Sequence, residues 1–125
     1  MEKELLNSGN ELLLKDLCAR LPYGVKCIVK SDGYVSFISS IESQYGVVTF
    51  DDGRQEEICD IKPYLFPLSS MTGRLKAELF NLRINIEEPF QDSLCEIDFY
   101  HRKHFDYRGL IEKGLAIDAT GLNIY

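Results

Sequence analysis

The chain has 125 residues, 45% of them hydrophobic and 27% charged, with a formal net charge of −6. That is length enough for one domain with its own core, without staples from disulfides or metals. The acidic balance excludes general affinity for nucleic-acid backbones, which rests on many Lys and Arg contacts. No apolar run approaches the roughly 20 residues of a transmembrane helix.

The charge is uneven, at −5 over residues 1–60, −2 over 61–99 and +1 over 100–125. A local basic patch near the C-terminal end therefore survives the overall acidity. Residues 1–6 lack the basic start and apolar stretch of a secretory signal, so a cytoplasmic protein with no membrane partner is expected. Cys18, Cys27, Cys59 and Cys95 are 9, 32 and 36 positions apart and contain no Cys-x-x-Cys pair. A zinc ribbon is not signalled, and buried free thiols are expected rather than two disulfides.

Ser8-Gly9-Asn10-Glu11 reads as a capping box. Leu13, Leu14, Leu17, Cys18 and Leu21 follow at helical spacing until Pro22-Tyr23-Gly24, which predicts a helix over residues 9–21. From Val25 the period changes to two, as Val25, Cys27 and Val29 alternate with Lys26, Ile28 and Lys30. Ser31-Asp32-Gly33, Glu42-Ser43-Gln44 and Asp51-Asp52-Gly53 read as turns. Between them fall a second strand with Val35, Phe37, Ser39 and Ile41 on one face, and a third over residues 45–50. Ile38 is the apolar exception on the wetter face, and a fourth strand is expected near residues 55–61.

Three short turns joining four short strands describe an antiparallel meander. Strands of this kind curl into a bent sheet or an SH3-like or OB-like partial barrel, with a flat sheet backed by helices as the competing arrangement. Residues 62–68 read as an extended connector, because Pro63 and Pro67 push their predecessors out of helical space. Met71, Leu75, Leu79 and Leu82 predict a second helix, and Ile84 with Ile86 a short strand or bridge. Asp92 and Ser93 offer caps for a third helix, with Leu94, Ile97, His101 and His104 or Phe105 along one face. Gly109 and Gly114 bracket a turn, and residues 115–117 suit one more strand. The expected fold is thus α+β: an N-terminal helix, a four-stranded antiparallel meander and C-terminal helices, in a single domain over residues 1–125.

The densest chemistry lies in Tyr100-His101-Arg102-Lys103-His104-Phe105-Asp106-Tyr107-Arg108-Gly109, which holds both histidines of the chain. Arg102, Lys103 and Arg108 suit phosphates or carboxylates, and Tyr100, Phe105 and Tyr107 suit stacking on bases. The competing reading is that the aromatics seal the core and the basic groups solvate it. His101 and His104 form an H-x-x-H pair, a weak metal signal without the H-E-x-x-H pattern. Cys95 near a helix start would favour a thiolate, but both histidines lie too far along the same helix to activate it. The acidic pairs Asp51-Asp52, Glu56-Glu57 and Glu87-Glu88 read as solvated turn and edge residues. No phosphate-binding loop, dinucleotide fingerprint or nucleophile elbow is present.

No catalytic residue, metal ligand or cofactor is therefore assigned. The expected function is a noncatalytic protein-interaction or accessory module, contacting a protein partner or a second copy through the connector at Tyr64 and Phe66. The alternative is a nucleic-acid-binding accessory protein using Tyr100, His101, Arg102, Lys103, His104, Tyr107 and Arg108.

Three stretches carry a resemblance. They are Leu17-Cys18-Ala19-Arg20-Leu21-Pro22-Tyr23-Gly24-Val25, the run from Lys62-Pro63-Tyr64-Leu65-Phe66-Pro67 to Thr72, and the run from His104-Phe105-Asp106-Tyr107-Arg108-Gly109 to Ala116. Together they resemble an uncharacterised family of small proteins from gut Bacteroidetes and their phages or mobile elements. The resemblance implies a bacterial cytoplasmic or phage setting and brings no catalytic residue. One departure is Thr72-Gly73-Arg74, where an acidic, helix-favouring opening is expected.

Overall fold

A computed structural model describes residues 8–84 and 89–125. Helix α1 (Ser8–Arg20) turns Leu13 and Leu17 into the core, while Cys18, expected on the same face, is exposed. A one-turn 3-10 helix (Leu21–Tyr23) with Pro22 in its first turn then redirects the chain. Strand β1 (Lys26–Val29) alternates as expected, with Cys27 and Val29 buried.

Strands β2 (Val35–Glu42), β3 (Val47–Phe50) and β4 (Gln55–Glu57) each pair antiparallel with the strand before. Gly33 and Gly53, with φ of 78° and 93°, supply the left-handed turn residues that the Asp-Gly pairs announced. The turns containing Asp32 and Asp52 are also tied to each other. Arg54 donates from Nη2 to Asp32 at 2.6 Å and lies over the Tyr34 ring, whose hydroxyl donates to Asp52.

The faces of β2 differ from expectation. Residues 35–37 pair with β1 and 38–42 with β3, with a bulge between Ile38 and Ser40. The extra residue reverses the alternation, so Ile38 is buried and Val35 is 37% exposed. The fourth strand also stops early, since residues Ile58–Asp60 form a one-turn 3-10 helix that buries Ile58.

The expected connector is strand β5 (Ile61–Pro67). It pairs antiparallel with β1, placing Pro63 opposite Cys27, and parallel with the short β6 (Phe105–Asp106) and β7 (Ile117–Asp118). The prolines that argued for a connector hold φ near −65°, which extended strands accept wherever no ladder N–H is required. Among the described residues the result is a mixed seven-stranded sheet in the order β4-β3-β2-β1-β5-β6, with β7 also on β5.

Helices α2 (Gly73–Ile84) and α3 (Pro89–Arg102) follow β5. Ile84 ends α2 instead of forming a strand, and Ile86 lies outside the described residues, as do the side chains of Ser8, Asp92, Ser93 and Cys95. Helix α3 opens on Pro89, which suits a first turn. It also stops sooner than the His101–Phe105 spacing suggested. His104 takes φ of 64°, and Phe105 belongs to β6, so the expected helical face ends at His101.

Two cores result. One holds Leu13, Leu17, Val29, Phe50 and Leu65 between α1 and the sheet. The other holds Leu79, Phe99 and Phe105, with Phe66 and Leu75 packed on it between α2, α3 and β5. Leu65 and Phe66 enter different cores because successive strand side chains point to opposite faces. Cys27 is a buried free thiol, but Cys59 joins Cys18 in being exposed, because it sits on the one-turn helix at the surface. No helix among the described residues is long and apolar enough to cross a membrane.

Phe50→Ala should lower stability by about 3–5 kcal/mol in urea unfolding, the usual cost of an emptied aromatic core position. Val35→Ala, on the exposed side of the bulge, should stay within about 0.5 kcal/mol of the parent. A large loss at Val35 would mean that the bulge does not set the faces of β2.

Candidate functional site

The C-terminal cluster is built around a carboxylate from the other end of the chain. Asp16 of α1 is fully buried, and so is Arg20 one turn later. Arg20 donates from Nε to Asp16 Oδ2 at 2.7 Å and from Nη2 to the Phe105 carbonyl at 2.6 Å. Arg108 reaches the second carboxylate oxygen, donating from Nε to Oδ1 at 3.0 Å. It also donates from Nη2 to the Tyr107 hydroxyl at 3.1 Å, and that hydroxyl shares a 2.7 Å hydrogen bond with His101 Nε2. Both guanidinium groups lie over the Tyr107 ring, at 5.4 Å for Arg20 and 5.0 Å for Arg108.

The two histidines are separated by this network. His101, buried at the end of α3, packs beside Tyr23 and Tyr107. His104 stacks face to face on Tyr125 with ring centroids 3.5 Å apart. The Tyr125 hydroxyl accepts from the Lys26 N–H and donates to the Tyr64 carbonyl, which pins the last residue across β1 and β5. Burial first, and the Arg20 charge second, push the His104 pKa down to about 4. His101 is lowered by the same two causes in the same order. Both rings are thus neutral packing elements near neutral pH. Among the described residues no three His, Cys, Asp or Glu side chains are grouped to hold a metal.

The basic residues of the cluster face acids. Arg102 donates to Asp98 at 3.1 Å, Lys103 lies 3.5 Å from Glu78, and Arg108 is bound to Asp16. Tyr100 stacks on Tyr107 and donates its hydroxyl to Glu96. Asp98 also accepts from the Tyr23 hydroxyl, which with Arg102 holds its carboxyl below the usual range. Nor is an activated thiol present among the described cysteines. Burial raises the Cys27 pKa far above its ordinary value, and Cys18 and Cys59 are raised as well.

The connector residues separate too. Tyr64 is 6% exposed and turned into the molecule, so its side chain offers no contact surface. Phe66 is half-buried and lines a cavity of about 270 Å³ open to solvent on one side. Leu75 from α2, Lys103 and Phe105 from beyond α3, and Thr120 and Gly121 from the C-terminal turn complete most of the wall. Leu122, next in the chain to Gly121, is 49% exposed, and Leu68, two residues beyond Phe66, is 40% exposed. The cavity brings Phe66 and Lys103 together, whereas His101, Tyr107 and Arg108 belong to the network on Asp16.

Asp16 and Arg20 escaped the sequence reading, which followed the leucines of α1. The signal was their i, i+4 spacing on a helix otherwise read for its apolar face.

Asp16→Asn should cost about 3–5 kcal/mol in chemical denaturation, because it strands a buried guanidinium. Arg108→Ala, which leaves the Asp16–Arg20 pair intact, should cost about 1–2 kcal/mol. A loss under 1 kcal/mol for Asp16→Asn would contradict a structural role. Stability should also fall as pH drops from 6.5 towards about 4, because the unfolded His104 takes up a proton that the folded one refuses. His104→Asn, which tolerates positive φ, should flatten part of that decline. An unchanged urea-midpoint profile in the variant would remove His104 as its source.

No family model matches this chain, and neither a curated protein nor a solved structure matches it, which leaves its own residues and their geometry as the guide to function.

Proposed function

We propose that this protein is a noncatalytic interaction module, a cytoplasmic accessory protein of bacterial or phage origin that contacts a protein partner or a second copy through the surface around Phe66. The observation that carries this reading is the half-open apolar cavity, walled by Phe66, Leu75 and Phe105, with the exposed Leu68 and Leu122 within two residues of its wall along the chain. Apolar concavities with a few polar groups are where recognition concentrates.

The scaffold we infer is an SH3-like partial barrel. Its support is the strand order β4-β3-β2-β1-β5, the bent and bulged β2 shared between two pairings, and the one-turn helix between β4 and β5. The free thiols at Cys18, Cys27 and Cys59 suit a reducing compartment. A nucleic-acid surface on the C-terminal cluster draws little from this geometry, since Arg102, Lys103 and Arg108 already face carboxylates.

A tagged pull-down from a bacterial host lysate tests the reading. A specific protein should copurify at high salt, and Phe66→Ala and Leu68→Ala should each reduce it at least roughly tenfold while unfolding stays cooperative. Nucleic acid that leaves as salt rises, and that responds to Arg102→Ala and Arg108→Ala instead, would overturn it.

A further inference from the structure

We infer that the cavity at Phe66 takes one large apolar side chain of a partner peptide, with an acidic residue next to it in that peptide facing Lys103. The inference rests on the interaction reading above and adds the chemistry of the occupant.

Size sets the first term. At about 270 Å³ the cavity falls just under the roughly 300–1,000 Å³ that enclose whole small ligands, so it matches one bulky side chain entering from its open mouth. The wall decides that this side chain is apolar. Phe66, Leu75 and Phe105 form its body, and the aromatic pair Phe66–Phe105, with centroids 6.2 Å apart, gives it a rigid floor. The polar groups are hydroxyls with local duties. Ser70 donates to the Pro67 carbonyl, and Thr72 Oγ1 accepts from the Leu75 N–H.

Charge sets the second term. Lys103 is the charged residue of the wall, and its ion pair with Glu78 is long, at 3.5 Å, with both side chains more than a third exposed. Such a pair is held by little and exchanges readily for a better-placed carboxylate. The wall also includes Thr72, just before helix α2, whose first turn carries no acidic residue and includes Arg74. The positive end of that helix dipole is left uncompensated beside the cavity. Asp118 at the end of β7 accepts from the Thr120 N–H with Oδ1.

The test is an amide-resolved NMR titration of the full chain with three probes: capped Phe-Glu dipeptide, capped Phe-Gln dipeptide and free 4-phenylbutyrate. Phe-Glu should shift Phe66, Leu75, Lys103, Phe105 and Gly121, and bind up to roughly fivefold tighter than Phe-Gln, the span of a partly exposed ion pair. Lys103→Met should erase that difference, and Thr120→Trp should fill the mouth and weaken both peptides. Should Thr120→Trp fail to fold, Lys103→Met alone decides. Equal binding of the two peptides, or shifts that map elsewhere, would overturn the inference. Binding of 4-phenylbutyrate about tenfold tighter than Phe-Glu would overturn it as well, by making the occupant a free small acid. Any of these failures, alongside a pull-down that Phe66→Ala still abolishes, would leave the interaction reading standing.

Discussion

The arrangement of this chain depends on one buried carboxylate. Asp16 binds Arg20 on one oxygen and Arg108 on the other, so that helix α1 and the segment after β6 meet at a single anion. Arg20 extends the tie by donating to the carbonyl of Phe105, the residue that pairs β6 with β5. Taking three charges out of water is expensive, and such clusters persist only when geometry and extra hydrogen bonds offset the desolvation. Here the offset comes from bonds to both carboxylate oxygens and from the Tyr107 ring under both guanidinium groups. What the cluster contributes is position: it fixes where the C-terminal segment returns to the sheet.

That placement explains why the densest chemistry of the sequence is spent on packing. The aromatics of residues 99–107 stack among themselves, with Phe99 on Phe105 and Tyr100 on Tyr107. The histidines are held neutral by burial and by Arg20, as is expected of imidazoles lying beside a cation. A phosphate arriving at this surface would have to displace Asp98, Glu78 or Asp16 from the bases they face. Lys103 has the longest of these ties and is the basic group of the cluster that also lines the cavity.

What could be read from the sequence was what is local. The Asp-Gly turns at 32–33 and 52–53 carry their own instruction in the positive φ of glycine, and the strands beside them followed. Helix α1 announced its extent through leucine spacing. Errors arose where a distant partner decides. Residues 62–68 read as a connector because their prolines are visible locally, whereas β1, β6 and β7, which make a strand of residues 61–67, come from three other places in the chain. The bulge at Ile38–Ser40 has no glycine to mark it, so the faces of β2 were assigned the wrong way round before it, while Ile41 beyond it packs on the core as expected. Asp16 and Arg20 went unread, since nothing near them in sequence supplies Arg108. The cavity was the least legible feature, because its wall is assembled from β5, α2, the end of α3 and the C-terminal turn.

The same reasoning separates stability from recognition in this fold. The core between α1 and the sheet is closed at Leu17, Val29, Phe50 and Leu65, which are fully buried. The second core is smaller, with Phe99 of α3 stacked on Phe105, and among the described residues it borders the half-open cavity. Phe66 stands at its unsealed side, touching Phe105 and Tyr125 but still half-exposed. A partner side chain entering there would complete a core that the chain leaves unfinished, gaining about 25 cal/mol for each Å² of apolar surface it covers. Because Leu65 and Phe66 share one strand and face opposite ways, β5 carries the closed core on one side and the open one on the other. Contact at Phe66 would thus fall on the face of β5 opposite the closed core, with the Asp16 network reaching the cavity wall only through the Phe105 carbonyl.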